Sequence, residues 1–160
     1  MNRKKEIAYK FSVMTQEQAE DIAFNWHYDG KYSFYDMEAD KVDLKEFLNP
    51  QQRGNSTFSA TETNELVGFF SYSKVTDRTF DIALGMRPDL TGKGNGIKYL
   101  KAVIYFIKSE VKPEKITLSV ATFNQRAIKL YRNAGFKDMG TYMQDTNGST
   151  FEFLKMKYIC

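Results

Sequence analysis

Leu84-Gly85-Met86-Arg87-Pro88-Asp89-Leu90-Thr91-Gly92-Lys93-Gly94-Asn95-Gly96 is the stretch on which the fold turns. It leaves an apolar strand, bends at Pro88, passes through three alternating glycines and enters an amphipathic helix at once. Glycine carries no Cβ, so this backbone can turn tightly and aim successive N–H groups at one anion. The first helical turn adds unpaired donors and a partial positive charge. The stretch reads as a phosphate cradle, and a phosphorylated ligand is expected there.

Downstream of the glycines, Ile97, Leu100, Val103, Ile104 and Ile107 recur at spacings of three and four, with Lys98, Lys101 and Lys108 largely elsewhere, which predicts a helix with one face on a sheet. Pro113 breaks it. Ile116, Leu118 and Val120 alternate as a strand, and Asn124 is placed to cap a helix bearing Ala127, Leu130, Tyr131 and Ala134 on one side, stopped by Gly135. Phe136 to Thr146 and Ser149 to Tyr158 then flank Asn147-Gly148, the dipeptide best suited to a type I′ hairpin turn. Upstream, Tyr9, Phe11 and Val13 alternate, and Thr15 with Gln18 forms a capping-box signature before the helical run Ala19, Ile22, Ala23. A second short helix is expected from about Asp40 to Leu48, ended by Pro50. Phe58 to Thr63 and Leu66 to Ser73 form a hairpin about Thr63-Asn64-Glu65, and Phe80 to Met86 supplies the strand that feeds the glycine loop. The order is strand, two helices, three strands, helix, strand, helix, two strands: a mixed α/β fold whose loop lies at the carboxyl edge of a central strand, where ligands usually bind.

Composition bounds the rest. At 160 residues with 42% apolar and 15% aromatic side chains, residues 1–160 are read as a single domain with a real core. A net charge of +3, spread along the sequence, gives no basic stripe, so a nucleic-acid partner is not expected. No stretch approaches the roughly 20 apolar residues a membrane span needs, so no membrane partner is expected either. His27 is the only histidine and Cys160 the only cysteine, so neither a metal site nor a histidine-based nucleophile is expected. With no internal disulfide possible and no signal-peptide pattern, a cytoplasmic location is expected.

Two nucleotide fingerprints fail on spacing. In a Walker A loop the lysine is followed by Ser or Thr, but Lys93 is followed by Gly94, and the G-x-G-x-x-G pattern meets Ile97 or Tyr99 at its third glycine. The arrangement instead resembles the GNAT superfamily of acyl-CoA-dependent N-acyltransferases, whose signature [QR]-x-x-G-x-[GA] opens the central helix and is matched here by Thr91, Gly94 and Gly96. Met86-Arg87-Pro88-Asp89-Leu90 looks like that family's strand exit, and Asn124-Gln125-Arg126-Ala127-Ile128-Lys129-Leu130-Tyr131-Arg132-Asn133-Ala134-Gly135-Phe136 resembles its second motif almost throughout. Thr91 departs from Gln or Arg, but a cradle made of main-chain amides does not depend on that side chain.

The resemblance implies a mostly antiparallel central sheet of about seven strands flanked by about four helices, with acetyl-CoA as co-substrate. Its diphosphate would lie on the amides of Gly92, Lys93, Gly94, Asn95 and Gly96, with Thr91 at the position of the family's side-chain contact. The pantetheine arm would run along Leu84, Gly85 and Met86 where the two strands around the central helix splay apart, and Asn124 would bind it from the other side. Tyr131 matches the family's tyrosine general acid; the alternative is a core aromatic. Asp81 is the candidate base, with Glu65 a rival. The acceptor, a primary amine on a small molecule or a peptide amino terminus, would lie against Trp26, Tyr28, Tyr32, Tyr35 and Asp36, whose rings can hold a cation; the alternative is that these rings simply cap the core. The competing function is a non-catalytic CoA-binding sensor or partner-binding module, and the assembly is expected to be a monomer or homodimer.

Overall fold

The computed structural model describes residues 9–160. Its strands are β1 (Lys10–Val13), β2 (Thr57–Glu62), β3 (Glu65–Lys74), β4 (Thr79–Met86), β5 (Lys115–Ala121), β6 (Lys137–Thr146) and β7 (Ser149–Ile159). Among the described residues there are five α-helices: α1 (Gln16–Asn25), α2 (Lys41–Leu48), α3 (Pro50–Arg53), α4 (Gly96–Val111) and α5 (Gln125–Asn133). The one beyond the expected four is α3. Pro50 does end α2, but it also stands in the first turn of α3, where a missing N–H costs no hydrogen bond.

The strands form one sheet in the order β1-β2-β3-β4-β5-β7-β6. Every neighbouring pair is antiparallel except β4 and β5, which are parallel and joined through α4. The mixed, mostly antiparallel architecture expected from the sequence is therefore the one observed. The β2–β3 and β6–β7 hairpins close with two-residue turns in the left-handed region, Thr63 and Asn64 at φ of 54° and 68° and Asn147 and Gly148 at 50° and 79°. That geometry follows the right-handed twist of the strands. Glu65, expected within the first turn, is instead the opening residue of β3.

Helices α4 and α5 cover one face of the sheet. Leu100, Val103, Ile104 and Ile107 are buried against Phe70, Ile82, Ile116, Leu118 and Met156, and Ile128 joins them from α5. Two details differ from the periodicity. Tyr99 is 1% exposed while Ile97 is only half-buried, and Ile128 is the buried residue of α5 while Ala127, Leu130, Tyr131 and Ala134 are half-buried. Tyr99 goes inside because Gly68 makes room for it: a Cβ there would lie 2.7 Å from the Tyr99 ring, whose hydroxyl donates to the Phe69 carbonyl.

On the opposite face, the β2–β3 half is covered by α1 and α2. Thr15 and Gln18 cap α1 reciprocally, and Met14, Ala19, Ile22 and Trp26 form a second core beside Phe47 and Phe69. Asp40 caps α2 and also accepts from the Asn147 amide and the Thr146 hydroxyl, while the Asn147 side chain donates to the Phe34 carbonyl. These bonds pin the β6–β7 turn to the segment between α1 and α2. That segment winds as a 3₁₀-helix over Gly30–Tyr35, and Phe34 packs its ring on Phe123, Phe151 and Phe153. This arch, the segment between α1 and α2, thus packs through Phe34 against the β7 half of the sheet.

Candidate active site

Strands β4 and β5 are paired at only three positions, Thr79 with Lys115, Phe80 with Ile116 and Asp81 with Thr117. Beyond Asp81 and Thr117 they part. The edge of β4 through Leu84, Gly85 and Met86 and the edge of β5 through Ser119, Val120 and Ala121 are left without each other as partners, and an extended ligand can add itself to either. At the mouth of this parted seam lies the glycine loop. Gly92 and Gly94 hold φ of 71° and 83°, a conformation that side chains with a Cβ seldom adopt. Thr91 turns its hydroxyl back onto the Pro88 carbonyl, and Asn95 donates to the Leu90 carbonyl. Gly96 serves packing: a Cβ there would meet Leu130 of α5 at 2.9 Å.

The N-terminus of α4 receives no side-chain cap, and its first turn carries no acidic residue. Up to four main-chain donors thus point out of the helix beside the loop, with the positive end of its dipole behind them. Lys93 and Lys98 are exposed nearby in the chain. An anion is the natural partner of this arrangement.

Two phenols reach the parted ends of the seam. Tyr28 donates to the Met86 carbonyl at 2.7 Å, at the end of β4. Tyr35 accepts from the Ala121 amide, at the end of β5, and from the Asn124 side chain. Burial raises Tyr28, Tyr35, Tyr99 and Tyr131 above the ordinary phenol value; Asp36 adds to the rise of Tyr28, and the Tyr35 phenol to that of Tyr131. Tyr131 therefore stays protonated throughout the neutral range. Among the described residues no protein hydrogen bond engages its hydroxyl, whereas those of Tyr28, Tyr35 and Tyr99 are committed to main chain.

Asp81 stands at the apex, the last residue of β4 paired with β5, and its Oδ1 accepts from the Thr117 hydroxyl at 2.6 Å and from Lys155 Nζ at 3.1 Å. Glu65 is paired with Arg87, which also binds Asp89. Asn124 uses its carbonyl to cap α5 at Ala127 and its amide on Tyr35. In the expected acceptor group, Trp26 belongs to the second core at 5% exposure, so it presents no face to an acceptor. Its ring is drawn inward onto Phe69. Asp36 accepts from the Tyr28 amide and faces His27 at 3.3 Å, which ties the segment to itself and raises His27. Tyr28, Tyr32 and Tyr35 do lie on the arch.

One residue was invisible from spacing. Arg126 of α5 lies against the glycine loop, with Nη1 2.9 Å from where a Cβ on Gly92 would be, and its guanidinium stacks over the Tyr32 ring at 4.3 Å. Its partners come from distant segments, so only the fold brings them together.

The chain belongs to the acetyltransferase (GNAT) family, whose model matches residues 17–136, and it is therefore an acyl-CoA-dependent N-acetyltransferase by class. No curated protein sequence matches it. Solved structures share its fold at low identity. An acetyltransferase of the GNAT family from Bacillus anthracis superposes with a TM-score of 0.76 at 17% identity, covering 98% of this chain and 96% of that one. Spermidine N-acetyltransferase from Vibrio cholerae in complex with CoA and spermine gives 0.72 at 16% identity over 94% and 95% of the two chains. Ribosomal-protein-S5-alanine acetyltransferase from Vibrio fischeri gives 0.64 at 16% identity over 94% and 92%. Among the described residues no helix is long and apolar enough to cross a membrane.

Proposed function

We propose that the chain moves an acetyl group from acetyl-CoA directly to a primary amine, on a small molecule or at a peptide amino terminus. The observation that carries this reading is the seam between β4 and β5, which opens beyond Asp81 and Thr117 toward a glycine loop and an uncapped helix. In it the diphosphate rests on the amides from Gly92 to Gly96, and the pantetheine amides pair along Leu84, Gly85 and Met86 as an added strand would. The Met86 carbonyl already receives Tyr28, and its second lone pair is what a further donor would use.

An amine with an ordinary pKa near 10.4 is only about one part in 10³ neutral at pH 7, a handicap of roughly 4 kcal/mol before any chemistry begins. Asp81, at the apex, is assigned to remove that proton directly or through water. The neutral nitrogen attacks the thioester carbonyl and forms the new C–N bond. Collapse of the tetrahedral intermediate breaks the C–S bond, the hydroxyl of Tyr131 protonates the departing thiolate, and the second proton released by the nitrogen passes, directly or through water, to the Tyr131 phenolate. The Tyr131 phenol, raised by burial, is protonated at neutral pH, as a donor must be. The acceptor enters beside the arch that carries Tyr28, Tyr32 and Tyr35.

Thiol release from acetyl-CoA, followed over a panel of amines that includes spermidine, free amino acids and short peptides, tests the reading. Turnover with at least one amine is expected. Tight CoA binding without turnover on any of them would favour a sensor or partner-binding module instead.

A further inference from the structure

Arg78, Arg87 and Arg132 each sit on carboxylates, but Arg126 has no carboxylate partner among the described residues. It occupies the first turn of α5, just after the Asn124 cap, and that turn holds no acidic residue. A cation at the positive end of a helix is electrostatically misplaced. One contact and one gap nevertheless place it there. The Tyr32 ring lies beneath its guanidinium at 4.3 Å, and Gly92 lets Nη1 approach to 2.9 Å from a Cβ position that any other residue would fill. A locally unfavourable charge kept by specific contacts is what a functional site leaves in a sequence.

We propose that Arg126 is a ligand of the CoA diphosphate and that Tyr32 is the positioning residue that keeps its guanidinium over the glycine loop. This rests on the acetyl-CoA reading above. The loop amides bind the diphosphate from the side of α4, and the planar fork of Arg126 closes on it from the side of α5, donating to two oxygens at once. Stacking on Tyr32 limits the rotamers of a long side chain before the ligand arrives, so less freedom is lost on binding. Lys93 and Lys98, which have no such stack in the structure, supply field rather than geometry.

Calorimetry with CoA and with 3′-dephospho-CoA tests this, alongside kcat/KM for S-acetylpantetheine, a donor with no diphosphate. Arg126→Ala should weaken both nucleotides at least tenfold, leave S-acetylpantetheine within twofold, and melt within a few degrees of the unaltered protein. Arg126→Lys should recover only part of the loss, because a point charge does not reproduce the fork. Tyr32→Phe should retain affinity and Tyr32→Leu should lose several-fold. An unchanged Kd for CoA in Arg126→Ala, an equal loss with S-acetylpantetheine, or a loss seen with CoA but not with 3′-dephospho-CoA would each overturn the assignment. Failure of the unaltered protein to bind CoA would instead remove the acetyl-CoA reading and this assignment with it.

Discussion

The amino-terminal ends of α1 and α2 differ in kind from that of α4. At α1, Thr15 and Gln18 exchange hydrogen bonds and Glu17 complements the dipole; at α2, Asp40 accepts two amides and Asp43 does the same electrostatic work. At α4, the longest of the three, neither a cap nor an acid is present, and a glycine loop with left-handed residues stands in front of it. Folding alone favours the first arrangement, which is worth about 1 kcal/mol for each good cap. The second gives up that stability and keeps donors available for an anion. Helix α5 stands between these extremes, capped by Asn124 yet carrying Arg126 where an acid belongs.

The largest effect should come from damaging the uncapped end. Gly94 holds φ of 83° and has no atom within 4 Å of where a Cβ would be, so a side chain there fits the space but not the backbone. Gly94→Val asks a β-branched residue to occupy the left-handed region, and the loop must re-form with its amides turned elsewhere. CoA affinity measured by calorimetry should fall at least a hundredfold while the far-ultraviolet circular dichroism is retained. Normal binding in a folded variant would show that this loop is not the anion site.

Tyr131→Phe probes α5 beyond its first turn. Removing one hydroxyl that no protein group engages should leave the fold and the Kd for CoA intact and lower turnover at least tenfold. Equal rates for the two proteins would return Tyr131 to the role of a core aromatic packed on Phe136. The complementary change belongs to the structural end: Thr15→Ala should cost about 1 kcal/mol in a urea titration and leave CoA affinity unchanged, since only α1 loses its cap. A loss of cofactor binding there would erase the distinction between the two kinds of helix end.

These differences also explain what the sequence revealed. Caps, hairpin turns and strand alternation depend on residues a few positions apart, so Thr15-Gln18, Asn147-Gly148 and the stripe through Leu100, Val103 and Ile107 could be read directly. The glycine loop was legible for the same reason. What escaped depends on distant partners. Tyr99 is inside because Gly68, on another element, leaves room for its ring, and Arg126 reaches the loop only after α5 has packed beside α4 through Gly96 and Leu130. Trp26 illustrates the converse, an aromatic in an irregular segment that the sequence offers to a ligand and the fold spends on a second core. Tyr28 and Tyr35 belonged to the same cluster, yet their hydroxyls reach the ends of β4 and β5.

The smallest expected effect concerns Asp40, the cap that joins α2 to the β6–β7 turn and so holds the arch. Hydrogen bonds from the Asp43 and Asn147 amides, in that order of weight, keep its carboxyl below the usual carboxylate range. A carboxylate depressed in the folded state contributes stability that is present above its unfolded pKa and is lost as pH falls through the folded one. Stability of the unaltered protein should therefore decline on acidification from about pH 5 toward about pH 2. In Asp40→Asn, which keeps a carbonyl acceptor but not the charge, the decline should be shallower. It should not vanish, because Asp89 and Asp138 are likewise lowered by Arg87 and Arg132. Urea titrations at intervals across that range measure the slope, and an identical slope in the two proteins would mean that the charge of Asp40 does not help hold the β6–β7 turn against the arch.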